Sequence, residues 1–276
     1  MELGLNGATT LKADLATDIA VAGRAGFDFV EIWAAKLIGY LERGGLPALK
    51  QDLKQSGVKA VTLNSVERVT FNDPSGHIRM LEDFQRFCRV AAAIGAETVI
   101  VVPGPRPKGV SLKAIERESV SILRELSKIA EPYGLKLAYE FLGFADCTVN
   151  SLAQCATIVQ KVARENVGLV LDTFHFFAGG STVASIAKVD PRKIFIVHVN
   201  DVERAPRRKM HDALRLFPGK GIIPLAQILG AVKAIGYTGK FSVEIFRPQY
   251  WDRPPLEVAR EARRTTLTAL HQAGFR

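Results

Sequence analysis

Two glutamates, one aspartate and one histidine each close a short apolar run in the second half of this 276-residue chain. Glu140 follows Lys136-Leu-Ala-Tyr and Asp172 follows Val167-Gly-Leu-Val-Leu. His198 follows Ile194-Phe-Ile-Val and Glu244 follows Lys240-Phe-Ser-Val. Apolar runs of this length read as buried strands, and helix-length segments separate them. On parallel, adjacent strands the four terminal side chains meet around one pocket. Three carboxylates crowded together are costly without a counter-charge, and a divalent cation supplies one. The mostly oxygen donor set suits Mn²⁺, Mg²⁺ or Co²⁺, and Zn²⁺ also fits. Taken singly, each residue has an ordinary structural explanation: Asp172 as a helix N-cap, His198 as a satisfied core histidine, the glutamates as partners of nearby cations. Their recurrence on four successive strand ends points to one divalent metal ion.

The elements that must position them alternate along the whole chain. Apolar runs fall at 2–6, 27–32, 58–63, 98–102, 136–140, 167–172, 194–199 and 240–244, with amphipathic segments between. The pattern predicts one α/β domain over 1–276, a closed parallel (β/α)8 TIM barrel, which typically takes about 250 residues. An open doubly wound sheet would want a glycine-rich fingerprint after the first strand, where Leu5-Asn-Gly-Ala-Thr-Thr stands instead. The clearest helix is 111–133, with Leu112, Ile115, Ser119, Ile122, Leu126 and Ile129 in a stripe, Ser111 as N-cap and Gly134 as terminator. Barrel active sites lie at the C-terminal strand ends. There the first half ends its strands in Asn6, Glu31, Asn64 and Pro103, of which Asn6, Glu31 and Asn64 are read as lining the pocket. The long connection from Asn200 to Gly221 borders the same face and carries Arg204, His211, Asp212 and Arg215.

A net charge of +9 with scattered basic residues, and no aromatics interleaved in the Arg204–Lys209 cluster, argues against nucleic acid. Cys88, Cys147 and Cys155 form no CxxC pair and leave an odd count. A disulfide framework and a thiolate zinc site are therefore not expected. No secretory leader and no membrane-length apolar run is seen, so a cytoplasmic protein is expected.

The stretches Asn6-Gly-Ala-Thr-Thr, Cys147-Thr-Val-Asn, Val167-Gly-Leu-Val-Leu-Asp-Thr-Phe-His-Phe, Pro218-Gly-Lys-Gly and Val243-Glu-Ile-Phe-Arg-Pro-Gln-Tyr carry a resemblance. The chain resembles the xylose-isomerase-like barrel superfamily and, within it, the inosose (2-keto-myo-inositol) isomerases. The resemblance implies metal ligation by Glu140, Asp172, His198 and Glu244. It also implies a ketone shift between adjacent carbons of a cyclic polyol through an enediol, with Glu140 and Glu244 as the proton-transfer pair in no fixed order. His175 would bind a substrate hydroxyl or a carboxylate behind the metal, Arg215 a substrate hydroxyl or one of the metal-site carboxylates, and Asn6, Glu31 and Asn64 would complete the pocket. Trp33 and Trp251 are candidates either to pack on a ring face or to fill the core or an interface. The substrate is then a small polyol ketone or a ketose, and association into a homo-oligomer is compatible with the family. The chain departs from the family pattern in its Arg- and Lys-rich loop and at Phe177, where a polar ring is expected. Alternatives within the superfamily are a ketohexose 3-epimerase and a dehydratase of keto-inositols or dehydroshikimate. An abasic-site endonuclease would need more histidines than the five present, and a binding-only descendant would not need the complete ligand set.

Overall fold

The computed structural model describes all 276 residues, Met1–Arg276. Its strands are β1 (Glu2–Asn6), β2 (Phe29–Trp33), β3 (Lys59–Val66), β4 (Thr98–Val101), β5 (Lys136–Glu140), β6 (Val167–Asp172), β7 (Ile194–Val199), β8 (Asp201–Val202), β9 (Arg215–Leu216) and β10 (Lys240–Val243). Its helices are α1 (Leu15–Ala25), α2 (Ala34–Ser56), α3 (Pro74–Ile94), α4 (Leu112–Ala130), α5 (Leu152–Val162), α6 (Thr173–Ala178), α7 (Val183–Ile186), α8 (Leu225–Ala234), α9 (Pro248–Trp251) and α10 (Pro255–Gln272). Round the closed barrel the order is β1, β10, β7, β6, β5, β4, β3, β2. The pairings are parallel throughout. The predicted runs at 2–6, 136–140, 167–172 and 194–199 coincide with β1, β5, β6 and β7. The run at 58–63 extends to Val66 through a register shift against β4, and Glu244 lies one residue beyond β10.

Period-two alternation sorts the core into two layers. Leu137 and Tyr139, Leu169 and Leu171, Val197 and Val199, and Phe241 and Val243 face outward and pack under the helices. Phe29, Val61, Ile100, Ala138, Val170 and Ile196 form a separate cluster inside the barrel. Gly4 gives the Phe29 ring its room, because a Cβ there would overlap the ring. Gly4→Ala is therefore expected to cost about 1–3 kcal/mol by overpacking. The check is a lower urea midpoint with an unchanged slope.

The helix ends follow the sequence closely. Ser111 caps α4 by accepting the Ala114 N–H at 3.1 Å. Gly26, Gly57, Gly95, Gly134 and Gly236 end the segments before strands with φ between 67° and 85°. Leu112, assigned to the apolar stripe, is 63% exposed at the first turn, and Ile129 is half-buried, so the buried face is Ile115, Ser119, Ile122 and Leu126. The connection after β7 is a built element: β8 and β9 pair antiparallel within it. The Asp201 carboxylate accepts N–H groups of Gly219, Gly221 and Ile223 at 3.1, 2.8 and 2.9 Å, fixing the Pro218-Gly-Lys-Gly turn. No helix is long and apolar enough to cross a membrane, and all three cysteines are buried and free.

Candidate metal centre and active site

The inward-facing residues of the last strand layers are Asn6, Glu31, Asn64, Glu140, Asp172, His198 and Glu244, each buried. Their direction follows from the alternation that turns Ala138, Val170 and Ile196 inward two residues earlier. One ligand atom from each of Glu140, Asp172, His198 and Glu244 lies within 4.8 Å of the others. His198 Nδ1 is 3.2 Å from Glu140 Oε1, 3.4 Å from Glu244 Oε2 and 3.9 Å from Asp172 Oδ2. Glu140 and Glu244 flank the set from β5 and the end of β10, with β6 and β7 between them.

A buried arginine balances one side of this cluster. The β8–β9 ladder delivers Arg215, whose Nη1 lies 2.9 Å from both Asp172 Oδ2 and Glu244 Oε2. Asp212 holds its Nη2 at 2.7 Å, and the guanidinium sits over the Phe174 ring at 4.5 Å. Asp172 also caps α6 by accepting the His175 N–H at 2.7 Å, and the Asn200 amide donates to it at 2.8 Å.

Burial pushes the Glu140 carboxyl up to about 8, with Glu244 and Asp172 adding to the effect and His198 opposing it. Burial works against a charged His198, yet the carboxylates of Glu31, Glu244 and Glu140 hold it well above the usual imidazole range. Burial would raise Asp172 too, but Arg215, His175 and His198 keep it below the ordinary carboxylate range. Without an ion, then, burial favours a proton on Glu140 and the surrounding carboxylates favour a second on His198. Exchanging both for one doubly charged ion leaves its net charge unchanged, so the residues fit a divalent cation. Binding is expected to release about two protons near pH 7, falling toward one as pH rises past about 8 and Glu140 ionises in the free protein. Calorimetry in buffers of different ionisation enthalpy reads this number directly, and no proton release would contradict the protonation pattern.

A cavity of about 440 Å³ opens above the cluster, in the size range of small-molecule sites. Asn64, Glu140, His175, Arg215 and Glu244 border it, with Trp33 and Phe246 forming an apolar wall. Asp172 and His198 lie beneath its floor. Asn6 and Glu31, expected to line the pocket, do not border it; both are fully buried one layer down. Trp251 does not border it either, and its indole N–H is tied to the Ala8 carbonyl at 2.9 Å. Arg207 of the basic loop sits over the Phe177 ring at 5.5 Å. Asn200, Thr62 and Asp212 were not singled out as site residues. Thr62 could have been found from its alternation with Asn64, and Asn200 from its place directly after β7.

The family model described as Xylose isomerase-like TIM barrel matches residues 19–269. The chain is 39% identical to an inosose isomerase of Bacillus licheniformis, over 97% of this chain and 97% of the relative. It is 38% identical to an inosose isomerase of Bacillus subtilis (strain 168), again over 97% of each. A crystal structure of IOLI protein with a binding zinc atom superposes with a TM-score of 0.96 at 38% identity, covering 99% of both chains. Likeness in sequence over nearly the full length and in the closed barrel agree, and the chain belongs to the xylose isomerase-like TIM barrel family.

Proposed function

We propose that this protein is a divalent-metal-dependent inosose isomerase, moving the ketone of 2-keto-myo-inositol to a neighbouring carbon. The carrying observation is the pairing of Glu140 and Glu244 at the floor of one cavity, around four ligand atoms that fit a divalent ion. The relatives named inosose isomerase, and the zinc reported with IOLI protein, support the same reading. Glu140, Asp172, His198 and Glu244 would hold the ion, which when bound supplies Lewis-acid polarisation of the substrate oxygens.

The proton chemistry falls to the chain's own residues. Glu140 makes one side-chain contact, from Oε1 to His198, so its other oxygen is free for the cavity. Glu244 is clamped, with Oε1 accepting from Asn6 and Asn64 at 3.0 and 2.9 Å and Oε2 paired with Arg215. Glu140 is thus the better proton acceptor, and Glu244 the fixed partner on the other side. Glu140 takes the proton from the hydroxyl-bearing carbon, and the C–H pair becomes the C=C of an enediolate while the carbonyl pair moves onto oxygen. The neighbouring hydroxyl proton moves to that oxygen, the new carbonyl forms, and the former ketone carbon receives a proton from a carboxylic acid. The sum is an isomer with no net gain or loss of atoms.

His175 and Arg215 face this developing charge. The Gly143 N–H faces His175 Nδ1 at 3.1 Å, and Arg215 Nη2 lies within hydrogen-bonding distance of His175 Nε2 at 3.0 Å. Burial keeps His175 below the usual imidazole range, so the ring is neutral. The two contacts fix the ring beside the cavity, where the Arg215 guanidinium supplies positive charge for a substrate oxygen. Trp33 and Phe246 offer an apolar wall for the C–H face of a ring. Free buried thiols accord with a cytoplasmic setting. The test is incubation of the metal-loaded protein with 2-keto-myo-inositol. A second keto-inositol of equal mass supports the reading, and a product lighter by one water moves it to the dehydratases.

A further inference from the structure

The metal reading gives no task to Glu31 on β2, a fully buried carboxylate beside the ligand cluster. It does not border the cavity and does not belong to the four-ligand cluster. Yet it collects four donors. Asn64 donates to Oε1 at 3.0 Å, Asn6 donates to the same oxygen, and the Thr62 hydroxyl donates to Oε2 at 2.6 Å. The fourth is His198, whose Nε2 lies 3.1 Å from Oε1 and 3.3 Å from Oε2.

We propose that Glu31 is a positioning residue that fixes the His198 ring with its proton on Nε2 and its lone pair on Nδ1, turned toward the metal ligands. The inference rests on the metal reading above. An ionised carboxylate only accepts hydrogen bonds, so the ring nitrogen facing it carries hydrogen. The neutral ring then has its lone pair on Nδ1, the atom that faces Glu140, Glu244 and Asp172. A ligating histidine held by a carboxylate through its other nitrogen gains both orientation and basicity. The layer also reaches a second ligand. Asn6 and Asn64 each donate to Glu244 Oε1 as well as to Glu31. Asn6 cannot turn its amide round, because its own oxygen accepts the Ala8 N–H at 2.8 Å. Glu31 therefore anchors two of the four ligands from beneath, at a depth that substrate in the cavity does not reach.

Long-range ¹H–¹⁵N spectra of the zinc-loaded wild type, with zinc affinity of wild type and Glu31→Gln measured against a chromophoric chelator, test this. His198 is expected to be protonated on Nε2 and metallated on Nδ1. Glu31→Gln keeps the shape but offers one acceptor oxygen and turns an NH₂ toward existing donors. Zinc affinity is expected to fall about 10–100-fold, with the single tautomer lost. Thr62→Val, which removes only one donor, is expected to show a smaller loss of the same sign. If Glu31→Gln does not fold, the wild-type spectrum still decides, because a proton on Nδ1 of zinc-loaded His198 overturns the proposal. An affinity in Glu31→Gln within about twofold of wild type overturns it while leaving the function standing. Wild-type His198 signals that ignore zinc overturn the metal reading and this inference together.

Discussion

Glu140→Gln is expected to slow ketone migration by about 10²–10⁴-fold at saturating metal, the usual contribution of a positioned proton-transfer group. The amide keeps the size of the side chain and one oxygen for the ion, but it has no basic oxygen to take a proton. Burial, which lifts the carboxyl to about 8 in the free protein, favours a carboxylate that holds a proton once it has taken one. Once the ion displaces that proton the carboxylate is the active form, so activity in wild type should follow the acidic limb of metal binding and be lost as pH falls. The measurement is kcat alongside metal content. A variant with full metal occupancy and activity within about tenfold of wild type would remove Glu140 from the proton-transfer role.

The second large effect concerns stability. Arg215→Met should destabilise the metal-free protein by about 3–5 kcal/mol, the usual consequence of stripping the partner from a buried ion pair. Arg215 is 1% exposed and pairs with two carboxylates of the cluster. Those carboxylates, with Asp212, hold the guanidinium charged against the cost of burial. Removal leaves negative charge buried without its counter-charge. A bound divalent ion supplies positive charge at the same place, so the loss should shrink when zinc is saturating, and zinc should bind the variant more tightly than wild type. Urea unfolding with and without zinc gives both quantities. An equal loss in the two states would mean that Arg215 acts by packing on Phe174 and Phe246 rather than by charge.

The site was legible in the sequence to the extent that it obeys local rules. Strand ends are marked by where apolar alternation stops, and period two makes the last inward residue predictable. That is enough to bring Glu140, Asp172, His198 and Glu244 together, because β5, β6, β7 and β10 are consecutive neighbours in the barrel. Depth was not legible. Asn6 and Glu31 are fully buried behind Glu244 and Asn64, which hydrogen-bond them and border the cavity themselves. A sequence records the strand end but not which neighbour covers it. Arg215 was visible as a candidate partner of a metal-site carboxylate, but which carboxylates it meets was not, since a two-residue ladder with Asp201–Val202 leaves almost no pattern. Trp251, open in the sequence between a ring-face contact and a packing role, stands away from the cavity for a similar reason. Its loop folds back so that the indole caps the Ala8 carbonyl, a contact between residues 243 positions apart.

The most direct test of the central claim is proton exchange at the substrate carbon. The metal-loaded protein is incubated with 2-keto-myo-inositol in D₂O and followed by NMR. Deuterium should enter at the carbon beside the ketone, together with signals of a second keto-inositol, and Glu140→Gln should suppress both. No deuterium incorporation with metal fully bound would contradict an enediol pathway at this site.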